Sequence, residues 1–338
     1  MKQKLIFLLI AAALTYGTTL MSCKDDESNV EGNAINATNF PDEQFRQFLK
    51  SMDYGKDGVL TKEEIDTITT IDISDKDIKN LQGIKYFTVL KNFICINTPL
   101  TELDLSNLKA LENVEINKMP LISLNVSGCT SLKELIYNVG ELKTLNASGC
   151  SSMQYLGCEI NKLTSLNVSG CTSLLSLDCY DNQLTTLDAS GLSEVFYLFC
   201  QNNQLASLNV SGCKNVHYLR CDGNRLTTID VSECTALQQL RCSNNQLTSL
   251  DVSKNKALNL LHIDQNKIKG EAMDALIESM PKLPEIGARG MMHVIHNEKE
   301  QNEMTKAQVD AAMNKYWQPY YNEPYYFDDK DWLPYTGS

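Results

Sequence analysis

The sequence predicts a β-rich α/β solenoid built on a parallel sheet, and three observations carry that expectation. Apolar markers recur at Ile68, Leu90, Leu111, Leu132, Met153, Leu174, Val195, Val216, Leu237 and Leu258, with a first step of 22 residues and later steps of 21. Inside each unit the apolar residues alternate as in a short strand. In LLSLDCYDN, residues 174–182, Leu177 and Cys179 point inward while Ser176, Asp178 and Tyr180 point outward. An asparagine closes the later strands, at Asn161, Asn182, Asn203, Asn224, Asn245 and Asn266, where its amide can satisfy backbone groups left unpaired as the chain turns. One such unit cannot bury its own apolar face, so neighbours must stack on it. About ten coils advancing about 4.8 Å each give a sheet of roughly 45 to 50 Å.

The pattern LxxLxCxxNxL, repeated over residues 68–268, resembles the leucine-rich repeat family. That resemblance implies a solenoid with a parallel concave sheet. Lys76, Thr98, Met119 and Gly140 occupy the asparagine position in the first four coils, which are therefore expected to be less regular than the last six. Segments between strands, such as LTSLNVSGCTS at 163–173, are too short and too rich in Ser, Thr and Gly for a long helix. They predict an extended or single-turn convex side and mild curvature.

With 338 residues and 43% hydrophobic composition, the chain can build a sizeable core as one elongated domain. The net charge of −12, without a basic block, argues against nucleic acid as a partner. No apolar run reaches the roughly 20 residues of a spanning helix. Residues 1–22 read as a signal peptide, since Lys2 and Lys4 precede a short apolar core at 5–14. Its end, Leu20-Met21-Ser22-Cys23, resembles the bacterial lipobox, which implies lipidation of Cys23, with palmitate among the acyl groups. Lys24-Asp25-Asp26-Glu27 resembles the acidic export signal of surface lipoproteins in the Bacteroidetes group. Together these resemblances imply an outer-membrane lipoprotein exposed on the cell surface and held to the membrane through its lipid alone. Residues 23–38 lack an apolar pattern and read as a flexible tether.

Residues 39–67 predict a helical N-terminal cap. Phe45, Phe48, Leu49 and Met52 have helical spacing after Pro41. The loop DYGKDGVLTKEE at 53–64 resembles an EF-hand, which implies calcium ligands from Asp53, Asp57, the Val59 carbonyl and Glu64. Gly55 stands where a third carboxylate or amide ligand is expected, so calcium binding would be weak, and no cofactor is required. A helix-loop-helix cap without an ion is the alternative; both cover the open end of the first coil.

Two cysteine columns invite disulfide or metal readings in an exported protein. Cys95, Cys158, Cys179, Cys200, Cys221 and Cys242 hold the last inward strand position. Cys129, Cys150, Cys171, Cys213 and Cys234 fall mostly in SGC segments. Because Ile116, Ile263, Leu192 or Asn255 fill these places in other coils, and no CxxC occurs, free buried thiols acting as small apolar groups are expected.

Beyond Ile268 the period breaks into a C-terminal cap, 269–338. Helices are predicted at 271–280 and 304–315 and a strand at 291–296, and an aromatic tail is expected to pack on the last coil. No GxSxG, HExxH or phosphate-binding glycine loop is present, and His293 and His296 project to opposite faces of a strand, so no enzyme is expected. Outward strand positions instead gather Tyr155, Tyr180, Tyr197, Phe199 and Tyr218 beside Arg220, Arg241 and His262 and the acids Glu159, Asp178 and Asp222. Aromatic residues flanked by arginine are the composition of an interface anchor. The function expected is a surface-anchored binding or adhesion module for a protein or glycan; a structural spacer without its own ligand is the alternative.

Overall fold

The computed structural model describes residues 32–285, 289–295, 301–321 and 333–334. The expectations placed on Cys23, on the signal, on the acidic stretch 24–27, on His296 and on the tail beyond 321, Leu333–Pro334 excepted, lie outside the described residues.

The repeat strands pair in parallel and in register, so that equivalent residues of successive coils lie side by side: Tyr155 beside Ser176, Ser176 beside Tyr197, Tyr197 beside Tyr218 and Tyr218 beside Gln239. A 10-stranded sheet runs from Glu134–Ile136 through the later coils to Leu333–Pro334. A separate three-stranded ladder, Thr70–Asp72, Asn92–Ile96 and Asn113–Asn117, precedes it. The opposite wall is also extended. Glu102–Asp104, Ser123–Asn125, Thr144–Asn146 and Ser165–Asn167 form one parallel sheet, and Thr186–Asp188 pairs with Ser207–Asn209 in another. Each of these convex strands from Ser123–Asn125 onward ends in the same turn: the Oδ1 of Asn125, Asn146, Asn167, Asp188 and Asn209 accepts the serine amide two residues on, at 3.0–3.1 Å. The glycine after each of those serines takes φ between 73° and 79°, which a residue with a Cβ resists.

The leucines of both walls meet in a continuous core, with Leu156, Leu177, Leu198 and Leu219 fully buried. The asparagine column does what the sequence suggests, and it does so between coils. Asn182 donates Nδ2 to the carbonyls of Cys158 and Cys179, at 3.0 and 3.1 Å, while its Oδ1 accepts the Leu163 amide at 2.9 Å. Asn203, Asn224, Asn245 and Asn266 repeat the pattern one coil further on each time. The early coils lack it and improvise. Thr98 contacts the Cys95 thiol at 3.1 Å, and Tyr137 sends its hydroxyl to the Met119 carbonyl at 2.7 Å. Gly140 leaves the room that Tyr137 and Asn161 fill.

All the cysteines from Cys95 to Cys242 are free and buried. They are not merely apolar, which corrects the expectation. In the SGC column the thiols of Cys129, Cys150, Cys171 and Cys213 reach the carbonyls of Leu105, Val126, Ala147 and Ala189 at 3.1–3.2 Å. Asn255 replaces the thiol by donating Nδ2 to Val231 O at 2.9 Å. The column therefore supplies a short donor to a buried carbonyl of the preceding coil, a need that the apolar Leu192 does not meet.

At the N-terminal end the structure shortens the expected tether. Gly32–Ala34 pairs antiparallel with Val59–Thr61, because Ile35 next to it is buried in the cap. The helix Glu43–Ser51 starts at Asp42 rather than Pro41. Asp42 Oδ1 accepts the Phe45 amide, and Oδ2 accepts the amides of Lys79 and Asn80 in the first coil, which docks the cap on the solenoid. Phe40 packs edge-on against Phe45 and Tyr86 at 5.7 and 5.6 Å. At the other end, Gly290–Ile295 and Trp317–Tyr321 add two further parallel strands beside Leu260–His262, separated by the helices Glu271–Ser279 and Lys306–Met313. Trp317 is fully buried and donates Nε1 to Pro281 O at 2.8 Å, so this part of the aromatic tail packs within the cap, one strand removed from the last coil, rather than on that coil.

Candidate functional site

The strand face is ordered in columns, because the ladder is in register and each coil contributes side chains two residues apart. Tyr155, Ser176, Tyr197, Tyr218 and Gln239 form one column. Gly157, Asp178, Phe199, Arg220 and Arg241 form the next. Glu159, Tyr180 and Asp222 lie two residues beyond, just past the strand ends. The candidate residues other than His262 thus lie on one face, and they divide into three groups of different chemistry.

The first group is acidic. Tyr155 donates its hydroxyl to Asp178 Oδ2 at 2.9 Å, and Ser176 donates to Asp178 Oδ1 at 3.1 Å. Glu159 Oε1 accepts from Asn138 Nδ2 at 3.0 Å. Burial pushes the Asp178 carboxyl above the usual carboxylate range, and Glu159 adds to this, although the two hydroxyl donors oppose it. The Tyr155 and Tyr180 phenols are raised by burial and then by the same carboxylates. These coils hold a negative field that their own donors only partly offset.

The second group is aromatic and lies in the next two coils. Tyr197 and Tyr218 stack at 5.1 Å with 21° between the rings, Phe199 is 5.7 Å from Tyr197, and Tyr197 remains 41% exposed. The structure adds two residues that sequence reasoning missed. Phe196 lies 4.7 Å from Tyr197 and 5.5 Å from Tyr218, and His217 stacks on Phe196 at 4.1 Å. Both stand immediately before a strand, at a position to which the repeat pattern assigns no role. Their signal was the side-by-side recurrence of large rings there, one coil apart.

The third group is Arg220, Asp222 and Arg241. Arg220 Nε approaches Asp222 Oδ1 at 3.5 Å. Burial raises the Asp222 carboxyl against the pull of Arg220 and Arg241. His262 does not join this surface: it is 3% exposed, its ring 5.4 Å from that of buried His293. His293 Nδ1 lies 2.8 Å from Asp264 Oδ1, so these residues belong to the joint between the last coil and the C-terminal cap.

The calcium donor set does not converge. Asp53 pairs with Lys56, Asp57 Oδ1 accepts the Val59 amide at 3.0 Å, and Glu64 Oε2 accepts the amide and hydroxyl of Thr61 in a capping box. A Cβ on Gly55 would come 2.2 Å from the Leu49 carbonyl oxygen, which leaves no room for a ligand side chain there. Among the described residues no three His, Cys, Asp or Glu side chains gather to hold a metal. This fold uses the loop as a cap, and its carboxylates as placed do not fit an ion.

A parallel ladder of about 21-residue coils, with an asparagine column on its inner turn and short extended segments behind it, is a leucine-rich repeat solenoid. One solved structure supports this fold. The chain is similar to the functional domain of InlJ from Listeria monocytogenes, which includes a cysteine ladder, at 25% identity over 86% of this chain and 61% of that one, with a TM-score of 0.54. It is also similar to YopM, a leucine-rich effector protein from Yersinia pestis, at 20% identity over 65% of this chain and 57% of that one, with a TM-score of 0.46. The chain thus spans less than two thirds of either. No protein-family model and no curated protein matches it. Among the described residues no helix is long and apolar enough to cross a membrane.

Proposed function

We propose that this protein is a binding module displayed on the cell surface, which recognises a protein or glycan through the strand face of its coils and is held to the outer membrane by a lipid on Cys23. The observation that carries the reading is the stack of exposed Tyr197 on half-buried Tyr218, flanked by Phe199 and Arg220. Aromatic surface left in water next to arginine is what an interface anchor requires, and a spacer has no use for it. The stacking of the rings on one another fixes them in place, so little side-chain freedom is left to lose on binding.

A screen of the full chain against glycan arrays and host-surface proteins is expected to find a binder. Tyr197→Ala and Arg220→Ala should each weaken that binder by about 2 kcal/mol, roughly thirtyfold, with little change in melting temperature. Changes at convex Ser or Thr positions should do little. Equal effects on both faces, or none on the strand face, would favour the spacer. Anchoring is tested separately: Cys23→Ala should leave the membrane fraction and lose labelling by a fatty-acid analogue, and retention of both would sink the lipid assignment.

A further inference from the structure

One turn of every coil places a residue in the left-handed region, directly before the asparagine position. Asp75, Asn97, Asp181, Asn202, Gly223 and Asn244 occupy it in most coils, residue types that tolerate a positive φ. Val139 and Ile160, at φ 57° and 54°, do not belong to that set. Lys118 and Gln265 also stand there, at φ 53° and 55°, but unbranched at Cβ; a β-branched side chain is the most strained, and nothing about the turn asks for it, because six other coils make it with aspartate, asparagine or glycine. Nor does the core ask for it. Val139 is 71% exposed and Ile160 44% exposed.

The two residues are adjacent. The Val139 amide donates to Glu159 O at 3.1 Å and the Gly140 amide to Ile160 O at 3.0 Å, so the side chains sit one coil apart at the rim of the strand face. Ile136, 42% exposed on the strand of the same coil, extends the apolar surface inward. Carboxylates surround it: Glu134 on that strand, Glu159 beside Ile160, Asp178 on the next strand but one, and Asp181 in the left-handed position one coil on. None of the four forms an ion pair among the described residues; the partners of Glu159, Asp178 and Asp181 are the neutral donors Asn138, Tyr155, Ser176 and Asn202. Lys118 bounds the patch on the preceding coil.

We propose that Val139, Ile160 and Ile136 form an apolar step that seats a cationic polypeptide segment of a partner protein, an apolar side chain resting on the step and lysine or arginine facing Glu134, Glu159, Asp178 and Asp181. The proposal rests on the strand-face reading and deepens it by naming the partner's chemistry. Unpaired carboxylates around exposed aliphatic groups complement a basic, apolar segment and repel an acidic one. The strain is retained because aspartate or asparagine at 139 and 160 would fold better and present no apolar contact.

The test uses the full chain and three fluorescein-labelled peptides, of alternating lysine and leucine, glutamate and leucine, and lysine and serine, followed by anisotropy. The lysine–leucine peptide should bind, and bind less well as salt is added. The other two should bind at least about tenfold more weakly. Val139→Asn combined with Ile160→Asn should raise the melting temperature by a few degrees, which shows the variant folded, while weakening the lysine–leucine peptide by at least about tenfold. Ser165→Ala, on the exposed convex strand, should leave that peptide within about twofold. Absence of lysine–leucine binding, equal binding of lysine–serine, or unchanged binding by the asparagine pair would each overturn the proposal. A binder from the wider screen that responds to Tyr197→Ala but not to the asparagine pair would overturn this proposal alone and leave the strand-face reading standing.

Discussion

Asp264 of the last repeat coil holds His293 of the capping strand, with Oδ1 and Nδ1 2.8 Å apart and both residues buried. Burial alone would raise the Asp264 carboxyl, but the hydrogen bond and charge of His293, with a further bond from Ser243, leave it below its ordinary value of 3.8. A carboxylate whose folded pKa is depressed stabilises the fold fully above its unfolded value and loses that contribution as pH falls through the folded one. The cap is therefore expected to stay docked above about pH 4 and to loosen below it. Asp264→Ala should cost about 3 kcal/mol at neutral pH and flatten that acid dependence, as read by thermal unfolding across a pH series. An unchanged acid limb in the variant would place the transition elsewhere.

Each asparagine of the column serves two coils, so its loss should be felt as a broken joint rather than as a lost side chain. Asn203→Ala removes donors from Cys179 O and Cys200 O and leaves the buried Leu184 amide without its acceptor. About 1–3 kcal/mol is expected for the stranded amide alone, measured by urea unfolding. The reverse change at Gly140 should not help. A Cβ there would meet Asn161 Oδ1 at 2.8 Å and the Tyr137 ring at 2.9 Å, so Gly140→Asn is expected to destabilise, although it restores the repeat pattern.

The buried thiols should be silent in the native protein. Burial raises Cys150 and Cys213 to about 11 and Cys129, Cys171 and Cys234 to about 12, so little thiolate exists near neutral pH. Alkylation of the folded chain at about pH 8 should leave the columns unmodified, and after denaturation without reductant all should react. A shortfall after denaturation would reveal disulfides. Within the SGC column, Cys171→Ala should cost more than its small volume suggests, because the Ala147 carbonyl loses its donor.

The period and the alternation made the solenoid legible because every coil repeats one solution to one packing problem. Where a coil solves it differently, the sequence is silent. Asn302 closes the capping coil as the column residues do, accepting the Ile268 amide at 2.8 Å and donating to Ile263 O and Val294 O. It stands 36 residues after Asn266, since a helix is inserted, and no 21-residue count reaches it. Gly32–Ala34 was invisible because its pairing is a matter of backbone and its side chains carry no pattern. The strand-face aromatics were legible from outward positions alone, whereas Phe196 and His217 needed the side-chain directions at the strand entrance. Burial of His262 could not be read at all, because it depends on where the irregular cap returns.

The parallel ladder has a consequence for how the chain is made. Along the strand face each coil pairs only with the coils before and after it, about 21 residues away, so no contact there waits for the two ends to meet and the fold can grow outward from any formed pair. The coils best equipped to start are those carrying the full asparagine column, 153–268, which are synthesised after the irregular ones. A chain emerging N-terminus first has in its early coils a ladder that pairs within itself and a cap docked on its first coil, so these need not wait for the asparagine-bearing coils that follow.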